Sequence, residues 1–417
     1  MRVLLPLTAL AALTACTGKD AVDSTPPDVA WYGEVEDTVI EKCATCHQPG
    51  GLGPGDWSTY ETAAAGAEAI KVYVENGAMP LAAADPECRS YHGAERMHLT
   101  DEETQRIIDW ADAGAPAGNP AHSNAPEIPY LHLDDTDTTL EMPLEHTLEV
   151  DEGDNEYFCM ILDNPFTETR YVTGIDVEVG NREVVHHMLL AVDMNGNAGV
   201  GYGTDGTQTA FRCQDPILES DWLLLHAWTP GMEPVEFPDG VGLQVNPGDQ
   251  LVLQMHYYAD HDLPAQTDHS AYKLRTTDHV NTVAEMAAVG PDDFRIPAGA
   301  DSYSDSESLE NDFGRMTLYG AFPHMHLLGS YFSSSIRKMG GSEECLVRGE
   351  YDFDHQMTYM FDVPVQFNRR DRLVVECTWN NAADAPNQYN DPPQDIVWGE
   401  GSNAEMCYML FYYSMGQ

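Results

Sequence analysis

The 417-residue chain is short of cations. Only 20 Lys and Arg stand against 69 Asp and Glu, a formal net charge of −49. That deficit excludes nucleic acid as a partner, because gripping phosphates takes clustered Lys and Arg. A solvated, salt-tolerant surface is the plain explanation. Long apolar runs are missing too. Val3 to Leu13 is the one candidate, and it is too short for a permanent membrane span. The acidic runs "LDDTDTT" and "DSYSDSESLEND" lack the spaced ligand-and-glycine pattern of a calcium loop. A second C-x-x-C is absent, which argues against a four-cysteine zinc site.

The N-terminus supplies Arg2, the apolar run and then "LTAC". This resembles a bacterial lipoprotein signal. It implies a signal peptide at 1–15, a lipid on Cys16 and a tether over 16–29 that hangs the protein from a membrane. Thr17 in place of Asp points to outer-membrane sorting, with a periplasmic or surface location, in a Gram-negative cell. The plainer alternative is an ordinary secretory signal with a chance cysteine. Either way the nine cysteines meet an oxidising compartment.

"EKCATCHQPGG" contains Cys43-x-x-Cys46-His47. In an exported protein this reads as covalent haem c attachment: two thioethers from the cysteines and one axial iron ligand from His47. A redox disulfide is the competing reading. Downstream, "GAMP" sets Met79 on a loop before Pro80, a soft ligand that raises a haem potential. Met97, His92 and His98 compete for that sixth position. "HLTDEETQRIIDWADAGAP" predicts a closing helix, with Thr100 and Glu103 as a capping box and Ile107, Ile108 and Trp110 as its apolar stripe. Residues 30–118 resemble a class I cytochrome c domain, a small all-α unit that carries one electron.

Residues 119–135 read as a Pro- and Asp-rich linker. Beyond it, short segments such as "YFCMILD", "EVVHHMLLAVD", "QLVLQMHYYAD", "RLVVECTWN" and "CYMLFYYSM" alternate with turn residues. That pattern predicts antiparallel β-sandwiches. The length suits two, over 136–281 and 282–417, with a boundary near "TTDHVNT".

Several of these segments carry metal-ligand residue types. His186 and His187 are adjacent in "VVHHML", and His256 sits in "LQMHYY". Neighbours on an ideal strand face opposite ways, so the pair can share an ion only at a strand end, at a bulge, or through different ring nitrogens. His324 and His326 in "AFPHMHLLG" are two apart and share a face. Met406 precedes Cys407 in "AEMCYM". Three imidazoles suit copper or zinc, and two imidazoles with a thioether lean to copper, since soft sulfur favours Cu(I). The bland alternative is buried histidines and a core methionine. His226, in "LLLHAWTPG", falls where no ligand is expected.

The order "HHML … HAWTPG … GVGLQVNPGDQLVLQMHY … HMHLLG … EMCYMLFYY" resembles the copper type II, ascorbate-dependent monooxygenases, the peptidylglycine α-hydroxylating and dopamine β-monooxygenase family, over about 136–417. The resemblance implies two jelly-roll-like nine-stranded domains across a solvent-filled cleft, each holding one of two copper ions. His186, His187 and His256 would hold the electron-storing copper. His324, His326 and Met406 would hold the copper that uses O2 to break a substrate C–H bond. Gln254 would lie on the strand coupling the sites, and Cys377 would pair with Cys407. That leaves Cys88, Cys159, Cys213 and Cys345. If all four are oxidised within the chain, Cys88 bridges to the β half; pairing Cys159 with Cys213 leaves Cys88 to Cys345.

Two departures from the family stand out. Peptide-processing relatives hold a substrate carboxylate with an Arg two residues before the His-x-His; here that residue is Phe322, and Tyr408, Met409 and Leu410 follow Met406-Cys407. A glycine-extended peptide is therefore not the expected substrate, and a small apolar or aromatic one fits better. The haem unit also suggests electrons from a redox protein beside or instead of ascorbate. The rival reading is a non-catalytic, lipid-anchored copper-binding or electron-transfer protein.

Overall fold

A computed structural model describes residues 29–49, 51, 53–128, 132–150, 155–200, 208–213, 222–258, 263–353, 355–399, 401 and 403–416. The expected signal peptide, Cys16 and nearly all of the tether lie outside these.

Helices occupy the front of the described chain: Glu36–Lys42, Tyr60–Ala65, Ala67–Glu75, Ala94–Met97 and Asp101–Asp112. The last begins at the capping box: Thr100 accepts from the Glu103 N–H, and the Glu103 carboxylate accepts from the Thr100 N–H. Its inner face packs Ile107 and Trp110 against Trp31, Val39, Ile70 and Val74, with the Trp31 and Trp110 rings 5.5 Å apart.

The remainder is β. In the first unit a five-stranded sheet runs Ala210–Arg212, Asn155–Leu162, Gln250–Tyr258, Val185–Asp193, Trp222–Trp228. It packs on strands Thr138–Glu141, Ala271–Thr277, Arg170–Glu178 and Val241–Val245. Strand Gln250–Tyr258 shows why period two matters. Leu251, Leu253, Met255 and Tyr257 enter the sandwich core, so Val252, Gln254 and His256 face the other way. The second unit packs strands Tyr303–Glu310, Arg372–Trp379, Gly329–Arg337 and Glu343–Glu350 against Thr282–Val289, Cys407–Met415, Met316–Met325 and Tyr359–Phe367.

The two units share a sheet. Strand Thr282–Val289 pairs in parallel with Val241–Val245 and antiparallel with Cys407–Met415, so one nine-stranded sheet runs from the first unit into the second. Tyr319, Phe322, Met360, Leu410 and Tyr412 of the second unit complete the apolar core of the first. Backbone pairing and apolar burial join the two units at these residues.

The front segment is stitched to the second unit as well. Cys88 is bonded to Cys345, Tyr91 bridges to Phe361, and the Asp85 N–H donates to Arg348 O. Ala84, Tyr91 and Ala94 belong to the core of the second unit, away from the helical core. Cys159–Cys213 and Cys377–Cys407 are the other disulfides.

Candidate metal centre

His256 and His187 are direct partners across strands Gln250–Tyr258 and Val185–Asp193. The register then slips: Tyr257 pairs with Val185, so His186 is an extra residue in a β-bulge. Val185 and Met188 both enter the core, and the two histidines between them turn toward His256. The bulge is the local device that lets adjacent histidines share a site.

The geometry is that of a ligand set. The ligating atoms of His186, His187 and His256 all lie within 4.8 Å of one another. His187 Nδ1 is 3.4 Å from His186 Nδ1 and 3.2 Å from His256 Nδ1. One ring nitrogen carries one proton or one lone pair, so hydrogen bonding cannot satisfy both neighbours. A tetrahedral ion with metal–nitrogen bonds of about 2.0–2.1 Å separates its nitrogens by about 3.3 Å. Tyr157 stacks on His256 with centroids 4.1 Å apart and fixes that ring. Burial pushes the His186 imidazole down to about 4, and burial with neighbouring imidazoles holds His187 and His256 well below the ordinary value. All three are kept neutral, the form that ligates.

The second group sits where strand Met316–Met325 ends beside Cys407–Met415. Met325 pairs with Cys407, and the Cys377–Cys407 bond fastens that strand end. The rings of His324 and His326 are 5.3 Å apart and nearly perpendicular. His324 Nδ1 bonds Gln356 Oε1 at 2.8 Å, and His326 Nδ1 bonds Ala404 O at 3.3 Å. Both acceptors are oxygens, so both Nδ1 atoms carry protons and both Nε2 atoms present lone pairs. Burial lowers both histidines, His326 to about 3.

Glu405 and Gln356 are the residues the sequence reading missed. Glu405 is fully buried and accepts from the His326 and Leu328 N–H groups and the Trp379 Nε1–H. It ties the His-x-His turn to the residue before Met406, and burial pushes it up to about 8. A lone Glu before a methionine gave one weak signal; Gln356 gave none, since it lies 30 residues from His326 in an irregular segment.

That segment spans the two histidine groups. The Phe353 ring stacks on His186 with centroids 4.7 Å apart. Gln356 holds His324, its carbonyl accepts from Thr229 Oγ1 of the first unit, and His355 Nδ1 donates to Ala82 O. Phe353 and Gln356, three residues apart, thus each touch one histidine of a different group.

Residues 143–263 match the N-terminal domain, and residues 282–417 the C-terminal domain, of the copper type II ascorbate-dependent monooxygenases. Together these spans cover well over half of the chain. The chain belongs to this family of copper oxygenases. No curated protein sequence matches it. Among solved structures, the major capsid protein P2 of bacteriophage PM2 is similar at 8% identity and TM-score 0.25, covering 67% of this chain and 98% of that one. The cowpea mosaic virus top component is similar at 10% identity and TM-score 0.28, covering 68% and 90%. Neither likeness is close enough to bear on fold or activity.

In this monooxygenase Phe322 and Leu410 pair across neighbouring strands and are buried in the joint apolar core. Both side chains are almost wholly shielded from solvent, each 4% exposed, where the sequence reading set them beside an apolar substrate. Gln254 is buried beside the Cys159–Cys213 disulfide, its Nε2 3.6 Å from Cys213 Sγ. His226 is a core residue whose Nδ1 meets Tyr272 Oη at 3.3 Å.

In the helical front, Cys43 and Cys46 are free thiols, not a disulfide. His47 Nδ1 donates to Pro54 O at 2.7 Å, leaving Nε2 for a ligand. A Cβ on Gly53 would fall 2.5 Å from the His47 ring, so glycine alone allows this close approach. Met79 is half-buried, with its N–H on Tyr73 O. Of its competitors, His98 Nε2 lies between Tyr91 Oη and Ala84 O, Met97 packs on the second unit, and His92 is exposed beside Asp362.

Proposed function

We propose that the protein hydroxylates a C–H bond of a small organic substrate, R–H + O2 + 2e⁻ + 2H⁺ → R–OH + H2O, with electrons reaching the first histidine group through a covalent haem c. The observation that carries the copper reading is the double Nδ1 contact of His187, at metal-ligand spacing. His186, His187 and His256 hold the ion of the first unit, residues 136–281. His324, His326 and Met406 hold that of the second, residues 282–417. Copper supplies one-electron steps and the activation of oxygen. The chain's own part is positional: Gln356 and the Ala404 carbonyl keep two Nδ1 protons in place, and the Phe353 ring covers the His186 ring. No fixed cation replaces the missing Arg at Phe322, so amidation of glycine-extended peptides is not expected.

For the haem, free Cys43 and Cys46 and the oriented His47 support attachment, with Met79 as sixth ligand and, as its domain, residues 30–118 without the 83–97 stretch that packs on the second unit. Glu233 and Arg182 of the first β unit act electrostatically on the Cys46 thiol, and Arg96 grips Glu233 with two bonds, of 2.6 and 2.7 Å. Arg96 thus ties the 83–97 stretch to the unit that bears His186. We place the protein on a membrane through a lipid at Cys16.

Copper and haem stoichiometry, followed by a screen for substrate-dependent O2 consumption, tests the proposal. Full copper loading with no O2 uptake for any substrate would favour a non-catalytic electron carrier. Stopped-flow mixing of reduced protein with O2 tests the relay, and a haem that stays reduced while the coppers oxidise would rule it out.

A further inference from the structure

One end of the second β unit collects what the rest of the chain lacks. Three turns, 311–315, 338–342 and 368–371, are knitted by two buried polar side chains. Asn311 Nδ2 donates to Gly314 O and Phe367 O, while its Oδ1 accepts from the Phe313 N–H. Asp371 accepts from the N–H groups of Met339 and Asn368, and its own carbonyl accepts from the Asn311 N–H. A satisfied buried network of this kind rigidifies the turns it joins.

The knot holds two apolar side chains out in solvent. Phe313 is 77% and Met339 71% exposed, the most exposed large apolar residues among those described. Beside them lie exposed Arg315, Arg369 and Arg370, while half-buried Lys338 is paired with Glu344 at 2.9 Å and Asp371 at 3.8 Å. Among the described residues, Arg369 and Arg370 form no ion pair. Arg370 sits at φ 71°, a backbone state that bulky residues avoid. With Lys338 and Asp371 paired, the three turns still present Arg315, Arg369 and Arg370 against Asp312. In a chain with a net charge of −49 this is a local reversal of sign.

We infer that this end rests on a bilayer surface bearing anionic headgroups. Phe313 and Met339 enter the acyl boundary, and the arginines reach the phosphates while their stems stay in the apolar layer. Two exposed apolar side chains held beside a cluster of arginines suit an amphipathic surface, and charge complementarity selects an anionic one. The inference does not depend on the copper reading or on the lipid at Cys16.

The test uses the full chain with Cys16→Ser, so that no lipid is attached. It is co-sedimented with vesicles of phosphatidylcholine alone or with added phosphatidylglycerol. Copper content and near-ultraviolet circular dichroism check that each variant folds. Phe313→Ser with Met339→Ser, and separately Arg369→Gln with Arg370→Asn, are compared with the parent. The Asn suits the positive φ. Expected is a preference for anionic vesicles that weakens by about five-fold for each arginine removed, the weight of one cation near an anionic leaflet, and that also falls with the apolar pair. Equal partitioning of all three proteins overturns the inference. So does sedimentation velocity showing that the substitutions dissolve a dimer while vesicle binding is unchanged, which would make this end a contact between copies of the chain.

Discussion

The Nδ1 atoms of His187 and His256 face each other at 3.2 Å across two paired strands. His186 joins them because a bulge inserts it on the same side. Replacing His256 with Ala removes one corner of a three-nitrogen set while its neighbours Met255 and Tyr257 keep their core packing. The expected protein loses one copper and keeps the other. Metal analysis with electron paramagnetic resonance checks this, and unchanged loading would show that the triad holds no ion.

Gln356 acts on His324 from outside the ligand set. Gln356→Leu leaves the Nδ1 proton without its acceptor and frees the ring to turn. Partners of this kind are worth about 10–100-fold in metal affinity. Copper(I) titration against a chelator should show that loss at the second site alone. Gln356→Glu, which restores an acceptor oxygen, should recover most of it.

Cys43→Ser with Cys46→Ser should abolish covalent haem, read by the haem stain of a denaturing gel, while both coppers still bind. Turnover driven by a redox protein should fall, and ascorbate-driven turnover should persist. Unchanged turnover with both donors would place the haem outside the electron path.

Cys88–Cys345 closes a loop of 257 residues and pins the 83–97 segment to the second unit. Cys88→Ser should cost about 2–5 kcal/mol of stability. Thermal unfolding and limited proteolysis of the Pro80–Met97 stretch report it.

His226 titrates in the interior. Burial depresses it to about 3 in the folded protein, against an ordinary 6.5 in the unfolded chain. Between these values the unfolded state binds the extra proton. The stability linked to this neutral histidine is therefore present above pH 6.5 and is lost as pH falls toward 3. His226→Leu should flatten the acid limb of the stability curve. Tyr272 keeps its own bond to Met188 O in that variant, so its hydroxyl stays satisfied. An acid limb as steep as the parent's would show that other groups set it.

Much of this was open to sequence reasoning because it rests on local rules. The Thr100–Glu103 capping box, the period-two strands and the Cys43-x-x-Cys46-His47 spacing all act over a few residues. Other features were not open to it. Phe322 and Leu410 looked like pocket residues until the shared nine-stranded sheet buried them together. Gln356 and Glu405 carry no pattern, because their partners lie 32 and 79 residues away. The 83–97 stretch read as part of the helical front, yet it packs on the second β unit through contacts hundreds of residues distant.

The sequence by itself determined which residue types could ligate and, through strand period, that His324 and His326 share a face. It also named the ways His186 and His187 could share one ion: a strand end, a bulge, or different ring nitrogens. Only the tertiary structure chose between them, since a bulge is defined by the register of the partner strand and not by the residues that form it. The closeness of the two histidine groups is likewise tertiary. It follows from strand Thr282–Val289 pairing with both units, a hydrogen-bonding choice that no local stretch of the chain encodes.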